Sequence, residues 1–166
     1  MRLFHVSECP TIELFEPRLP PGGASGPVVW AIAESHLVNY LVPRECPRVT
    51  FHASPTTDPA DCDHFLRGAS HVVAIEEAWL ERATRTELWL YELSTSSFVC
   101  RDMTAGYFTS TTAIAPVTRS LLKRPLMELA IRGAELRVLP NLQSLASAVA
   151  ASSLAFSCIR MRNALP

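Results

Sequence analysis

Short apolar runs, broken by proline, glycine and polar clusters, dominate the chain, and few stretches suit a long helix. "RLFHVS" (2–7) reads as an opening strand, with His5 set between apolar neighbours. The segment after it, "ECPTIELFEPRLPPGGASG", is rich in Pro and Gly and reads as loop. "PVVWAI" (27–32) has strand length, and residues 34–41 supply a short helical segment. "PRVTFHA" (47–53) alternates around Val49 and Phe51, with Pro47 marking its boundary. Over 55–68, Thr57 or Asp58 reads as an N-cap, Pro59 as a first helical residue and Gly68 as the stop.

The second half continues in the same way. "HVVAIE" (71–76) is β-branched and reads as a buried strand, "EEAWLERA" (76–83) as a helical turn or two. "TELWLYEL" (86–93) predicts a strand with two occupied faces, and "GYFTS" (106–110) and "TAIAPVT" (112–118) predict two more. Apolar residues at 121, 122, 126, 129 and 130 form a helical stripe stopped by Gly133, with Pro125 either bending it or marking its start. "AELRVLP" (134–140) predicts a strand, "NLQSLASAVAAS" (141–152) an N-capped helix, and "LAFSCIRMR" (154–162) a last strand. Strands outnumber helices without regular alternation. That predicts an α+β fold with a mixed or antiparallel sheet and short flanking helices, forming one domain over residues 1–166.

Composition narrows the function classes. Hydrophobic residues make up 48% and charged residues 19%, enough apolar surface for a real core. A formal net charge of -1 leaves no electrostatic footprint for nucleic acid or an anionic membrane. Neither a signal peptide nor a membrane span is legible, and five scattered cysteines without a CxxC pair read as reduced thiols. A cytoplasmic protein is expected. The glycine cluster "PPGGASGP" precedes a strand, the wrong context for a phosphate cradle, and "DCDH" (61–64) with His52 matches no common metal spacing. No metal is expected.

Three ordered segments carry a resemblance. "LFHVS" (3–7) is similar to the strand that opens the NAD-binding fold of ADP-ribosyltransferases of the diphtheria-toxin and poly-ADP-ribose polymerase type. "VVWAIAESHLVNY" (28–40) resembles that family's second motif, and "AGYFTS" (105–110) sits where its Glu-Tyr-hydrophobic-hydrophobic strand falls. The chain as a whole also resembles a small bacterial family of similar length. By resemblance the fold is ADP-ribosyltransferase-like and the cofactor is NAD. His5 would bond a ribose hydroxyl, the Val6 main chain would meet the carboxamide, Ser7 would support the strand end and Tyr40 would stack on nicotinamide. Tyr107 would line the same cleft.

The departures are specific. The family's glycine after His is Val6, its first stacking tyrosine falls on Val29 or Trp30, and its catalytic glutamate falls on Gly106. Glu76, Glu77 and Glu92 are the candidates to stand in. Arg160 and Arg162, two apart and on one face if in a strand, read either as a phosphate or carboxylate site, with a pyrophosphate beside His5 as one occupant, or as charges that keep an edge strand from pairing with other chains. Two readings follow: an NAD or ADP-ribosyl-nucleotide binding domain with atypical transferase or NAD hydrolase activity, an unidentified protein being the acceptor in the transferase case, or a scaffold that kept the fold and lost the chemistry. Phosphotransfer from a 2′-phosphorylated RNA to NAD is a third and weaker reading, against which the charge speaks.

Overall fold

Two-residue periodicity in the apolar runs becomes ten strands in the computed structural model, which describes residues 1–20 and 26–166. Residues 21–25, part of the Pro- and Gly-rich segment read as loop, lie outside the described residues. In chain order the strands are β1 (Leu3–Ser7), β2 (Val29–Ala33), β3 (Arg48–His52), β4 (His71–Glu76) and β5 (Leu88–Leu93). They continue as β6 (Val99–Asp102), β7 (Tyr107–Ser110), β8 (Thr118–Leu122), β9 (Ala134–Leu139) and β10 (Ala155–Ile159). Four short α-helices accompany them: α1 (Pro59–Asp61), α2 (Leu80–Arg85), α3 (Pro125–Ile131) and α4 (Gln143–Ala150). The α+β class is as expected, but there are two sheets, and the chain divides into two compact units.

The first unit combines Met1–Tyr40 with Glu87–Lys123 and holds a six-stranded sheet in the order β6-β7-β2-β1-β5-β8. Every neighbouring pair is antiparallel. Register assigns the faces. Leu3 pairs with Ala33 and Leu93, His5 with Tyr91 and Ser7 with Trp89, so all of these share one face. Leu3, Val29, Ala31, Ala33, Tyr91, Leu93 and Phe108 bury that face together with Phe15 from the loop after β1. The loop is tied down by its backbone: Phe15 exchanges both hydrogen bonds with Ile114, and Arg18 does so with Val28. Tyr91 adds a side-chain tie, its hydroxyl donating to the Cys9 carbonyl at 2.7 Å and accepting from the Ile12 amide at 3.2 Å.

The second unit combines Leu41–Thr86 with Arg124–Pro166 around a four-stranded sheet, β10-β3-β4-β9, in which β4 and β9 run parallel. Its core is Val49, Phe51, Val72 and Ala74 from the sheet with Leu66, Leu142, Val149 and Leu154 packed over them. The predicted cap is Asp58, whose side chain accepts from the Ala60 amide at 2.8 Å. A π-helical turn (Cys62–Leu66) carries the helix on, and left-handed Arg67 and Gly68 end it.

Three local expectations change, the first being the strand expected over 112–118, where Ile114 alone makes an isolated bridge with Phe15 and pairing starts only at Thr118. Residues 118–122 are not helical: they pair with Leu88–Glu92 as β8, and α3 starts at Pro125. Pro125 keeps Arg124 out of helical geometry, so the two apolar stretches that looked continuous are separate elements. The last strand stops at Ile159 because Arg160 turns left-handed, with φ 56°.

Candidate functional site

β1 and β2 pair only at Leu3–Ala33 and Phe4–Ile32. Beyond Phe4 the ladder stops, although β1 stays paired with β5 through Ser7. The Arg2 carbonyl accepts from Glu34, which aims the main-chain groups of Arg2, Phe4 and Val6 toward β2. The N–H and C=O of Val6 therefore lie on the β2 side of β1, past the last paired residues of the two strands. Trp30, which continued pairing would place opposite Val6, turns its carbonyl to His5 instead.

His5 occupies this split as a brace. Its Nδ1–H donates to the Trp30 carbonyl at 3.1 Å, satisfying an acceptor that the interrupted ladder leaves behind. The ring is half-buried under Phe15, with centroids 4.7 Å apart. Ser7 is buried, and its Oγ accepts from the Cys9 amide at 3.0 Å, closing the turn that leaves β1.

The aromatic residues lie on the other face. Trp30 pairs with Thr109, and Ile32 with Tyr107, so the Trp30 and Tyr107 side chains project away from His5 and Ser7. Trp30 meets Tyr107 edge to face at 5.8 Å, and Tyr40 meets Tyr107 at 6.4 Å. The Tyr40 hydroxyl donates to the Tyr107 hydroxyl at 2.6 Å. All three rings are half-buried. The expected cleft thus separates into two parts: Trp30, Tyr40 and Tyr107 come together, while His5 and Ser7 sit across the sheet from them.

Gly106 is a turn glycine with φ +68°, and a Cβ there would lie 2.5 Å from the His36 ring. Its carbonyl accepts from Ala33, so it stands at the paired end of β2. Three residues of strand rise, about 10 Å, separate that level from Trp30. None of the stand-in glutamates is an unengaged acid. Glu76 is buried in the second unit and accepts the Leu142 and Leu165 amides at 3.3 and 3.0 Å. Glu92 is held by Arg2, whose hydrogen bond, more than its charge, keeps the carboxyl below its ordinary range. Glu77 is exposed at the start of a 3-10 turn.

Arg160 and Arg162 do not form an open pair on a strand. Both turn to Glu45, at 3.5 and 3.0 Å, and Asn163 Nδ2 also donates to its carboxylate, at 3.1 Å. Foremost the Asn163 hydrogen bond, then the two guanidiniums, hold the Glu45 carboxyl below the usual glutamate range. A depressed folded-state pKa gives stability that is present above the ordinary value, about 4.3, and lost as pH falls toward the folded value. Glu45→Gln is therefore expected to flatten the acid limb of a stability–pH profile. Equal slopes for both proteins in urea titrations at falling pH would remove this role from Glu45.

The thiols offer no nucleophile matched to the split. Cys46 is pushed up to about 12 by burial. Cys9 is lowered, by hydrogen bonds from Thr11, but it is exposed on the loop beyond Ser7. Among the described residues no group of three metal-capable side chains converges, and no helix is long and apolar enough to cross a membrane. The residues that sequence reading passed over are Phe15, His36 and Tyr91. Phe15 and Tyr91 frame His5, and nothing in the loop's composition marks Phe15 as the ring that covers it.

Residues 4–164 match the profile of a family of unknown function, DUF6886. The chain belongs to it. Comparisons with curated proteins and with solved structures found no significant match. The DUF6886 match spans both compact units, so the split strands and the Glu45 and Glu76 anchors all fall within the family's extent.

Proposed function

We propose that this DUF6886 chain binds a nicotinamide-type nucleotide, NAD or a relative, at the β1–β2 split without turning it over. The observation that carries the reading is the pair of Val6 main-chain groups left beyond the β1–β2 ladder, at the level of Trp30. An N–H and a C=O side by side complement a carboxamide, which needs one acceptor and one donor. Trp30, with Tyr107 and Tyr40 behind it, offers a flat apolar wall for a heteroaromatic ring. Cleaving the nicotinamide–ribose bond requires more: a carboxylate that orients the ribose and stabilises positive charge in the transition state. Gly106 stands at the wrong level of the sheet to supply one. His5 serves here as a positioning residue that holds the split open through the Trp30 carbonyl.

The test is thermal unfolding with and without NAD, ADP-ribose and nicotinamide. A ligand at about 100 times its Kd stabilises the fold by about 2.7 kcal/mol, a shift of several degrees. NAD and nicotinamide are expected to raise the Tm of the wild type, and Trp30→Ala is expected to lose the shift. His5→Ala is expected to lower the Tm of the unliganded protein, since it removes both the brace and a ring packed on Phe15. No shift with any of the three compounds would leave the scaffold reading in place. Release of nicotinamide from NAD would instead make the protein a hydrolase.

A further inference from the structure

The loop after β1 and the segment that leads into β8 run side by side in the first unit. Phe15 and Ile114 join them through their main chains, and Arg119 joins them again by donating to the Pro10 carbonyl. Each segment is also anchored to β5. The Ile12 amide donates to the Tyr91 hydroxyl, and the Val117 amide donates to the Glu92 carbonyl. Between the two segments, held in this way, opens a cleft of about 380 Å³. Ile12, Ala115, Pro116 and Val117 give it apolar walls, and Val117 is 63% exposed.

Glu13 and Arg119 line the same cleft, and both are exposed. They form no ion pair with each other, and among the described residues the Glu13 carboxylate has no partner. Arg119 is fixed at one end by Pro10, with its guanidinium over Trp89 at 5.1 Å from the ring centroid. A guanidinium offers several N–H donors in a planar fork, and only one is engaged by Pro10. One cleft thus holds a carboxylate and a guanidinium, neither neutralising the other, beside apolar walls.

We propose that this cleft binds a free α-amino acid with an aliphatic side chain. The ligand carboxylate accepts from Arg119, its ammonium donates to Glu13, and its side chain lies against Ile12, Pro116 and Val117. Both polar contacts are charge-assisted, the stronger kind of hydrogen bond. The two charges also act as a filter. A simple anion that meets Arg119 is repelled by Glu13, and a simple cation meets the reverse conflict. A residue inside a peptide carries neither charge. In the sheet β5 stands between β8 and the β1–β2 split, so this site is separate from the nucleotide site proposed there.

Isothermal titration calorimetry of the full chain with L-leucine tests this. Leucinamide lacks the carboxylate and N-acetyl-leucine lacks the ammonium, so each removes half of the recognition without altering the protein. Leucine is expected to bind in the millimolar range or below, at least about tenfold more tightly than either derivative. Glycine leaves the apolar walls bare and is expected to bind more weakly than leucine. Glu13→Gln is expected to lose at least about tenfold in leucine affinity while keeping the wild-type Tm, since Glu13 is exposed. No binding of millimolar leucine overturns the proposal. So does equal affinity for leucine and the two derivatives, or a Glu13→Gln variant that binds leucine like the wild type.

Discussion

Glu76→Ala is expected to cost about 2–5 kcal/mol of folding stability, because it strips the acceptor from buried and half-buried main-chain amides. Glu76 is 1% exposed at the end of β4. Its Oε1 accepts from Leu142 at the start of α4, and both oxygens accept from Leu165 near the C-terminal end of the chain. One carboxylate thus joins three separated segments of the second unit. Glu76→Gln keeps one acceptor oxygen and should cost distinctly less. Urea unfolding followed by circular dichroism measures both. A Glu76→Ala midpoint within experimental error of the wild type would mean that water replaces the carboxylate, and the anchoring role would be lost.

The second large effect is at Gly106. Gly106→Ala forces a side chain into a left-handed backbone and against the His36 ring, at an expected cost of about 2–4 kcal/mol. His36→Ala should recover the part due to the clash and leave the backbone part, so the two substitutions are non-additive. Gly106→Glu is the more informative variant. If an ancestral carboxylate had merely been erased, restoring it should be tolerated and should create nicotinamide release from NAD. The expected result is a poorly folded protein without that activity, as measured by Tm and by product release.

Strands with a clear apolar identity were legible from the chain alone. β1 to β5, β7, β9 and β10 all lie where apolar or alternating runs predicted them. β6 was invisible because Val99, Cys100, Arg101 and Asp102 are all exposed, so no face is buried to impose a period. β8 was hidden for the opposite reason: Leu121 and Leu122 extend the apolar stripe of α3 backward across Pro125. The candidate site was half legible. His5, Trp30 and Tyr107 lie on the neighbouring strands β1, β2 and β7, with Tyr40 in the turn after β2. Their division between two faces depends on which residue of β2 stands opposite which residue of β1 and β7. A one-residue shift, Val29 against Trp30, moves the stacking position across the sheet, and local sequence does not encode that choice. Arg160 and Arg162 do not share a strand face, because the left-handed turn at Arg160 ends the strand at Ile159, and no residue type in the segment marks that turn.

The order of the strands along the chain bears on synthesis. All six strands of the larger sheet have been synthesised once residue 123 is added, while the smaller sheet still lacks β9 and β10. Until those arrive, β3 and β4 can pair only with each other, and an isolated two-stranded pair is marginal in water. Val72, Val73, Ala74 and Ile75, each 0% exposed in the finished fold, lack most of their cover during that interval. A nascent chain at this stage carries a complete six-stranded sheet and, in the other unit, an apolar strand without most of its cover. The kinetic hazard for this protein therefore falls in the synthesis of residues 124–159, where a pause at the ribosome would prolong the exposure of β4.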